Sequence, residues 1–521
     1  MNQLETDVLV IGGGSTGAGV AWDSALRGLH VTLVDRGDLA TGTTGRFHGL
    51  LHSGGRYVVK DPASARECAA ENQHLRRVAA DCIEDTGGMF VTTPLDDPGY
   101  ADQFLAGCAA AGVWCEEVTV AAARRREPRL NPRISRAFLV ADASIDAWKT
   151  IWACVRGAAA RGATVLPYHA LVALEVEAAA VVGATLRDTR TGEERRVRAR
   201  CTINAAGAWS GQVARLARCH VGVVPGKGVM IAMNHRLVNT AVNRCNLPGD
   251  GDILVPIRTV SVIGTTDVPA ADPDDIDPTG EEIAAMMAAG EALVPGFSQG
   301  RALRAWAGAR PLFPKSAAGE VSDTRDVTRS HSVLDHAQLD GVGNFLTVTG
   351  GKFTTFRLMA KDAVDLAVDK LGTSDSALAC RTDSEPLPGS ESRRYYWIGA
   401  RQDEMEAQGP DDTWLCECEL VSTRDVRAAV SRRAPGQLDD LRRSLRVGMG
   451  PCQGGFCAFR VAATLHQDGH YDREAANGSL RSFIEERWKG TRLLSWGDQL
   501  RQTRLDEWIF QGVLDLEHLP E

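Results

Sequence analysis

Short apolar runs alternate along the chain with longer stretches in which apolar residues recur at helical spacing. The runs predict buried strands, and the periodic stretches predict amphipathic helices. The predicted strands are Asp7–Ile11, Val31–Val34, Val165–Leu166, Leu171–Leu174, Cys201–Asn204, Val229–Met233, Ile253–Pro256, Val260–Gly264 and Phe345–Thr349. The predicted helices include Pro62–Ala80, Asp102–Ala111 and Ser144–Arg161, with Asp146 as an N-terminal cap. Strands and helices that alternate in this way predict an α/β architecture.

The first strand opens a nucleotide-binding pattern. Gly12, Gly14 and Gly17 follow it at Gly-x-Gly-x-x-Gly spacing, where a helix begins. Gly12 permits a tight turn, Gly14 lets a pyrophosphate approach the backbone, and Gly17 lets the helix lie close to the sheet. Asp35 ends the second strand, at the position where a carboxylate binds the hydroxyls of an adenosine ribose. The unit predicts one bound dinucleotide, but the motif alone does not separate FAD from NAD.

The segment after this unit favours a flavin. Gly42–Gly45 is a loop of small residues that is able to pass close to a cofactor, and a polar cluster follows it that comprises His48, His52, Arg56 and Tyr57. By analogy, nicotinamide enzymes usually have no such cluster here. The predicted FAD contacts in this region are Arg36, Thr43, Thr44, Gly45 and His48.

Later turns are predicted to reach the same cofactor. The strand Cys201–Asn204 runs into a turn of small residues that contains Gly207. Gly351, Lys352 and Phe353 follow the strand Phe345–Thr349 and open a helix, so this glycine turn is a second site that favours anions. Arg310 lies in a predicted turn, Gly-Ala-Arg-Pro-Leu. Taken singly, Arg310 and Lys352 are equally well explained as ordinary surface charges.

The order of the elements predicts the domain organisation. Strands that lie outside the nucleotide unit predict a mixed-sheet substrate domain inserted into the cofactor domain, and the two together span residues 1–370. Residues 371–410 are rich in Ser, Asp, Glu, Pro and Gly and predict a linker. A small domain is predicted over 411–465 and a helical tail over 466–521, where Ser479–Val513 is rich in aromatic residues.

Composition excludes several classes of protein. A chain of 521 residues with 44% hydrophobic content is able to bury a large core. The net charge of −9 disfavours a nucleic-acid binder, because such affinity comes largely from neutralised phosphates. No signal peptide and no apolar run long enough to span a membrane is predicted. We therefore expect a cytoplasmic protein that is associated with a membrane only peripherally.

Four of the thirteen cysteines form a separate pattern. Cys416 and Cys418 are followed, after thirty-three intervening residues, by Cys452 and Cys457. Four thiolates suit either zinc or an iron–sulfur cluster. Zinc sites usually separate the first pair by two to four residues, whereas here only Glu417 intervenes. The pattern favours [2Fe–2S] and leaves zinc, or no metal, as alternatives.

Several motifs resemble one enzyme family. The segments GGGSTGAGVA, HGLLHSGGRY, GARPL and GGKFTTFR occur in this order in FAD-dependent glycerol-3-phosphate dehydrogenases. The segments CECELVSTRDV, LRRSLRVGMGPCQGGFC and ERWKGTRLLSWGD resemble the A subunit of the anaerobic type. The resemblance implies an FAD-binding Rossmann-like domain with an inserted mixed-sheet substrate domain, of the D-amino-acid-oxidase type. It also implies a small C-terminal iron–sulfur domain similar to bacterioferritin-associated ferredoxin.

The resemblance also implies roles for individual residues. Arg56 is similar to the family arginine beside the flavin, and Arg310 and Lys352 are expected to bind the phosphate of glycerol 3-phosphate. His52 is the candidate base for the hydroxyl proton, with hydrogen bonding to flavin or substrate as the alternative. Tyr57 is placed with these catalytic residues. The implied electron route runs from FAD through a [2Fe–2S] cluster and a membrane-anchoring partner protein to quinone.

Two functional classes remain open at this stage. The first is a dehydrogenase that oxidises glycerol 3-phosphate and passes electrons onward, with a soluble oxidase or a dehydrogenase of another hydroxy acid as a further possibility within the enzyme class. The second is an electron-transfer or assembly subunit that keeps FAD and the cluster but has no turnover of its own. Reduction of a dye by the purified protein with glycerol 3-phosphate distinguishes the two classes.

Overall fold

The computed structural model describes residues 3–314, 324–372, 378–409, 412–432, 436–513, 515 and 518. Parts of the predicted linker and of the predicted tail therefore lie outside the described residues. Within the described part of the chain, no helix is both long enough and apolar enough to cross a lipid bilayer.

The strand Gln3–Ile11 lies near the centre of an eight-stranded mixed sheet. It pairs in parallel with Val31–Val34 on one side and with Glu194–Asn204 on the other. Ile11 stands opposite both Val34 and Asn204, so three strands end together and the turns that follow them meet at one edge. The other strands of this sheet are Thr164–Leu166, His169–Glu177, Ala180–Asp188, His331–Asp335 and Phe345–Gly350.

The eight-stranded sheet belongs to the predicted cofactor unit, and a second, nine-stranded mixed sheet forms the predicted substrate unit. Its longest contact is the antiparallel pair Val224–Met233 and Ala302–Leu312. The other strands are Gly88–Thr92, Cys115–Val118, Arg136–Val140, Ala241–Arg244, Ile253–Ile257, Val260–Gly264 and Val268–Pro269. A small additional sheet is formed by Leu50–Leu51, Ile83–Glu84 and Ala143–Ile145. The predicted α/β fold with an inserted mixed-sheet domain is confirmed.

Helices cover the sheets. Ser15–Leu26 packs between Ala147–Ala159 and Phe356–Leu371, and the three bury a shared apolar core against the first sheet. The other helices of the two units are Pro62–Val78, Tyr100–Ala111, Val120–Arg126, Ser210–Arg215, Gly280–Leu293 and His336–Leu339. Asp146 caps its helix as predicted, because its Oδ1 accepts a hydrogen bond from the Lys149 amide at 3.0 Å. Ser144, predicted to lie in that helix, belongs to a strand instead.

The four cysteines lie in a separate helical module, which we call the cysteine module and define as residues 412–432 and 436–513. It contains the short strand pair Trp414–Cys416 and Val421–Ser422. Its helices are Thr423–Arg432, Leu438–Leu445, Cys457–Gln467, Arg473–Trp488 and Gln499–Trp508. Phe483 and Phe510 pack in the same core as Cys416 and Val461. The packing therefore does not divide at residue 465, since the predicted tail completes the core of the predicted 411–465 domain.

Two other expectations differ from the structure. The predicted linker contains the helix Ile398–Ala407, and Leu387 within it is buried in the core of the cofactor unit. Its amide also donates a hydrogen bond to the Val78 carbonyl at 2.7 Å, so this part of the segment is attached to the cofactor unit. Arg310 lies inside the strand Ala302–Leu312, where backbone pairing overrides the turn signal of Gly308 and Pro311.

Candidate active site

The glycine turn after the first strand leaves no room for side chains. Gly12 has φ +109°, and a Cβ atom there would lie 2.6 Å from the Ala205 carbonyl oxygen. A Cβ atom at Gly17 would lie 1.8 Å from the Gly12 carbonyl oxygen. Gly14 is the N-cap of the helix Ser15–Leu26, so the amides of the first turn of that helix have no partner within the helix and lie at this turn. The turn has the shape and the polarity that a pyrophosphate requires.

Asp35 connects this turn to the loop that follows the second strand. Its carboxylate accepts hydrogen bonds from the amides of Gly13 at 2.7 Å and Gly37 at 2.9 Å. Burial raises the pKa of Asp35, and the bonds from Gly37 and Gly13 oppose that effect. Asp35 also lines the cavity described below. Binding of a ribose by this residue stays a prediction.

One cavity of about 980 Å³ extends from the glycine turn to the second sheet. The loop Thr43–Gly45 forms part of its wall, where the Thr44 Oγ1 accepts a hydrogen bond from the Ser15 amide at 2.9 Å. The Thr43 Oγ1 donates to the Ala309 carbonyl at 2.5 Å and so links the loop to the second sheet. A dinucleotide that lies on the glycine turn would therefore reach the interface of the two units.

Most of the predicted cofactor residues line this cavity. Those at its surface are Gly12, Gly14, Asp35, Arg36, Thr43, Thr44, His48, Gly207, Gly351, Lys352 and Phe353. Gly17 and Gly45 lie behind the surface and allow close packing, against the Gly12 carbonyl and against Trp148 respectively. The individual roles of these residues stay predictions. Glycines at the close contacts and helix amides at the turn together fit FAD.

Three cations meet at the other end of the cavity. Arg310 Nη1 donates to Asp267 Oδ1 at 3.0 Å, and Arg329 Nη2 donates to Asp267 Oδ2 at 2.8 Å. Lys352 Nζ donates to the Arg329 carbonyl at 2.9 Å and lies 5.0 Å from the centre of the Tyr57 ring. The three side chains are largely buried and all line the cavity. Burial lowers the pKa of Arg310 to about 10, with Asp267 opposing that effect. The cluster remains cationic at neutral pH and suits a dianion.

Arg56 approaches the cavity from the cofactor unit. Its Nη2 donates to Asp252 Oδ2 at 3.2 Å and to the Gly249 carbonyl at 3.3 Å. Asp252 is fully buried and also lies 3.8 Å from Arg244. A single carboxylate therefore positions Arg56 while the side chain still lines the cavity.

Two histidines stand beside these cations. The rings of His48 and His52 lie 5.9 Å apart, and His52 lies 5.5 Å from the ring of Tyr57. Burial, with Arg56 and Arg310 nearby, lowers the pKa of His48 to about 3. Burial lowers the pKa of His52 well below its usual value, and His48, Arg56 and Lys352 add to this effect. Burial raises the pKa of Tyr57 to about 12. Both imidazoles are therefore neutral near pH 7.

Sequence reasoning missed three residues of this site. Arg329 lies outside every motif, and Asp267 and Asp252 have no role that the sequence predicts. The segment Thr-Arg-Ser-His around Arg329 precedes a strand, which is the one local signal available. All the predicted catalytic residues, by contrast, line this one cavity.

The four cysteines of the module lie together. Cys418 Sγ and Cys452 Sγ are 3.9 Å apart, and the thiols of Cys416 and Cys457 are in contact with each other. Contacts with Cys418 and Cys457 lower the pKa of Cys452, and the amides of Gly454 and Phe456 donate to its sulfur. A thiolate at this position suits a metal ligand. Four thiols gathered in this way form a candidate metal centre.

The spacing of the sulfurs bears on the kind of metal centre. In the described part of the chain, only Cys219, His336 and Asp340 bring three or more potential metal-binding atoms within 4.8 Å of one another. The four module cysteines do not form such a group. The four module sulfurs are therefore spread more widely than that limit. Four sulfurs that each lie about 2.3 Å from one zinc ion would all be within 4.8 Å of one another.

The comparisons with known proteins agree with these observations. Residues 7–366 match the family described as FAD dependent oxidoreductase. The chain is 40% identical over 534 residues to the A subunit of anaerobic glycerol-3-phosphate dehydrogenase from Escherichia coli (strain K12), in a match that covers 98% of this chain and 97% of that protein. It is also 40% identical over 541 residues to the A1 subunit of the anaerobic enzyme from Haloferax volcanii, with 98% of this chain and 91% of that protein covered.

Solved structures show the same fold. The glycerol-3-phosphate dehydrogenase from Bacillus halodurans complexed with FAD matches with a TM-score of 0.61 and 20% identity, over 97% of this chain and 95% of that chain. The FAD-bound L-alpha-glycerophosphate oxidase from Mycoplasma pneumoniae matches with a TM-score of 0.57 and 17% identity, over 70% and 95%. At these identities the likeness establishes the fold alone.

Proposed function

The chain belongs to the family of the anaerobic glycerol-3-phosphate dehydrogenase A subunits, within the FAD dependent oxidoreductases, and we propose that it oxidises sn-glycerol 3-phosphate to dihydroxyacetone phosphate. One observation carries the proposal. Arg310, Arg329 and Lys352 line the same cavity as the glycine turn, so a phosphate group and a dinucleotide fit at its two ends. The substrate carbons would then lie between them.

The cationic end of the cavity selects the substrate class. Two guanidinium groups and one ammonium group are able to form charge-assisted hydrogen bonds with a phosphate dianion. Asp267 holds both arginines in place before substrate enters. A neutral polyol brings no negative charge to these cations and forms weaker bonds with them, so phosphorylated alcohols are favoured over free ones.

The reacting carbon requires a base and a hydride acceptor. FAD supplies the acceptor when it is bound. His52 is neutral at working pH, and its imidazole takes the proton of the substrate hydroxyl. Arg56, which Asp252 orients, stabilises the oxygen as it becomes a carbonyl. Tyr57 keeps its proton and packs between His52 and Lys352.

The cysteine module provides an exit for electrons. We propose that Cys416, Cys418, Cys452 and Cys457 hold a [2Fe–2S] cluster, which takes electrons one at a time. The wide spread of the sulfurs and the single residue between Cys416 and Cys418 support an iron–sulfur cluster over zinc. Backbone amides that donate to Cys416 and Cys452 agree with this choice, since hydrogen bonds to the sulfurs tune cluster potentials.

The electrons would leave toward a partner. Phe456 and Phe459, on both sides of Cys457, are 55% and 50% exposed. Exposed aromatic residues beside the metal ligands support contact with a membrane-anchoring partner subunit, and through it with quinone. The protein would then be cytoplasmic and attached peripherally to the inner membrane. Nucleic acid is not an expected partner.

Anaerobic titration of the purified protein tests the function. Addition of sn-glycerol 3-phosphate should bleach the absorption band of oxidised flavin within one turnover. A [2Fe–2S] signal should then appear in the EPR spectrum. If another hydroxy acid bleached the flavin and glycerol 3-phosphate did not, the proposed substrate would be wrong. A flavin that stays oxidised with every substrate would favour an electron-transfer or assembly subunit.

A further inference from the structure

The loop that lines the cofactor end of the cavity has a second face, which the proposed reaction does not use. Residues 36–46 follow Asp35, and Arg36, Thr41, Gly42, Thr43 and Thr44 line the cavity. Asp38 lies in the same loop but is fully buried and is not part of the cavity lining. A buried carboxylate requires a partner of opposite charge or several hydrogen bonds.

The partner of Asp38 comes from the cysteine module. Arg443 Nε donates to Asp38 Oδ2 at 2.7 Å, across a separation of 405 residues in sequence. The Arg443 Nη2 donates to Asp440 Oδ1 at 2.7 Å, and Nη1 donates to Asp439. Both ends of the pair are buried, with 9% of the Arg443 side chain and none of the Asp38 side chain exposed. The helix Leu438–Leu445 therefore holds the cofactor loop from behind through a buried ion pair.

Two neighbouring contacts strengthen the same attachment. The Tyr168 amide donates to the Gly37 carbonyl at 2.8 Å, and the Tyr168 hydroxyl donates to Asp440. Arg446, at the end of the same helix, lies 3.4 Å from Asp146, which caps the helix that carries Trp148. Trp148 in turn packs against Gly45 of the loop.

The attached loop also supports the glycine turn. The Ala40 amide donates to the Gly13 carbonyl at 3.0 Å, and the Leu39 side chain lies 2.6 Å from the place that a Cβ atom at Gly13 would take. Displacement of Asp38 would therefore move the two residues that contact the phosphate-binding turn.

We propose that the cysteine module forms a structural part of the FAD site, with Arg443 as the positioning residue, so that docking of the module and binding of FAD stabilise each other. Thermodynamic coupling is reciprocal, so each event must strengthen the other by the same factor. This inference rests on the part of the proposed function that concerns bound FAD, and not on the identity of the substrate. Failure to oxidise glycerol 3-phosphate would leave it intact.

The first experiment measures affinity for FAD. The flavin is removed from full-length protein, and FAD is titrated back while its fluorescence is followed. Arg443→Gln should raise the dissociation constant for FAD by about 5- to 150-fold, the usual range of coupling between sites. The matched control is Arg427→Gln, because Arg427 makes a bidentate pair with Asp468, at 2.7 and 2.9 Å, on an exposed face of the same module. The control should change FAD affinity by less than about twofold.

The second experiment separates coupling from a general loss of structure. Hydrogen exchange of helix Leu438–Leu445 is compared with and without FAD. FAD should slow exchange of this helix in the wild-type protein and in Arg427→Gln, and should have no such effect in Arg443→Gln. A helix that is merely destabilised would exchange faster but would still respond to FAD.

A second variant keeps the test decisive if Arg443→Gln does not fold. Asp38→Asn removes the charge from the cofactor loop and leaves Arg443 bonded to Asp439 and Asp440. It should weaken FAD binding in the same range while the cysteine module keeps its iron. The proposal would be overturned if Asp38→Asn bound FAD as tightly as the wild-type protein does. It would also be overturned if FAD did not change hydrogen exchange of the helix Leu438–Leu445 in the wild-type protein.

Discussion

Arg310 and Arg329 bind opposite oxygens of one carboxylate, that of Asp267, at 3.0 and 2.8 Å. Two guanidinium groups this close repel each other unless a counter-charge lies between them. Burial opposes ionisation of Asp267, but Arg310 and Arg329 overcome this effect and lower its pKa. The site therefore holds a pre-organised pair of cations that needs little rearrangement when a phosphate arrives.

Removal of Arg329 should weaken substrate binding while FAD stays bound. A charge-assisted hydrogen bond contributes about 1.5–3 kcal/mol, so Arg329→Gln should raise the Michaelis constant for glycerol 3-phosphate about 10- to 150-fold. Steady-state kinetics with a dye acceptor and the flavin-to-protein ratio measure the two effects. Arg236→Gln is the control, because Arg236 pairs with Glu84 at 2.8 Å and does not line the cavity. Unchanged kinetics in Arg329→Gln would remove this residue from the site.

Arg310 is predicted as a site residue from the sequence, whereas Arg329 is not. Arg310 and Lys352 lie in short motifs shared with the family, so the resemblance identifies them, whereas taken singly each is equally well explained as a surface charge. Arg329 reaches the site through tertiary structure, since the fold brings Asp267 beside it from 62 residues away. Arg310 has the same partner, 43 residues away, and differs from Arg329 in lying within a family motif.

Substitution of Gly17 should prevent FAD binding. A Cβ atom at this position would lie 1.8 Å from the Gly12 carbonyl oxygen, so Gly17→Ala must displace either the helix or the turn. We expect soluble protein without flavin, or a loss of about 1–3 kcal/mol or more from the free energy of unfolding. Thermal unfolding and the flavin-to-protein ratio measure these outcomes.

Gly280→Ala is the control for that substitution, since no atom lies within 4 Å of a Cβ atom at this position and its helix begins there. It should retain flavin and be neutral or slightly stabilising, because alanine favours helix. Full flavin content in Gly17→Ala would contradict the assigned packing role.

The parts of the fold that local sequence patterns predict also differ from the parts that depend on contacts between distant residues. The strand, glycine turn and Asp35 lie within one short segment, and the structure places the turn and Asp35 at the cavity. The Asp38–Arg443 pair joins residues 405 positions apart and has no sequence signal. Leu387 likewise lies in a segment whose composition predicts a linker, because the few residues that this segment buries, Leu387 and Ser390 among them, show no periodicity.

The pH dependence of flavin reduction should reflect a His52 that is already neutral. Burial, with His48, Arg56 and Lys352, lowers the pKa of His52. The neutral, basic form of His52 therefore persists when the pH falls below about 6.5, the ordinary pKa of histidine. At saturating substrate, the rate should stay nearly constant between about pH 6 and 8. Stopped-flow measurement at saturation keeps the ionisation of the substrate phosphate out of the result.

Two variants test this assignment. His52→Asn should slow flavin reduction by about 100- to 10,000-fold, the usual contribution of a general base. Lys352→Met removes a nearby positive charge and should raise the pKa of His52, but burial is the larger cause of the lowered pKa, so the rate should stay nearly constant over the same range. A wild-type rate that falls about tenfold for each unit of pH below 7 would contradict a lowered pKa for the base.

Loss of one module cysteine should separate flavin reduction from electron exit. Cys418 lies 3.9 Å from Cys452 and is half-buried, so Cys418→Ser removes a ligand without opening the core. The variant should lose the [2Fe–2S] absorption and EPR signal, because a serine hydroxyl is a poor substitute for a thiolate. Its flavin should still be bleached by glycerol 3-phosphate, because none of the four cysteines lines the cavity.

The matched control is Cys380→Ser, since Cys380 is another half-buried thiol and lies outside the module. This variant should keep both the cluster signal and turnover with one-electron acceptors, whereas Cys418→Ser should lose the turnover. Metal analysis decides between the remaining alternatives. A colourless wild-type module with one zinc ion would exclude electron exit through these cysteines, because zinc has no accessible redox step. Unchanged turnover in a Cys418→Ser protein that contains no iron would show that electrons leave the flavin by another route.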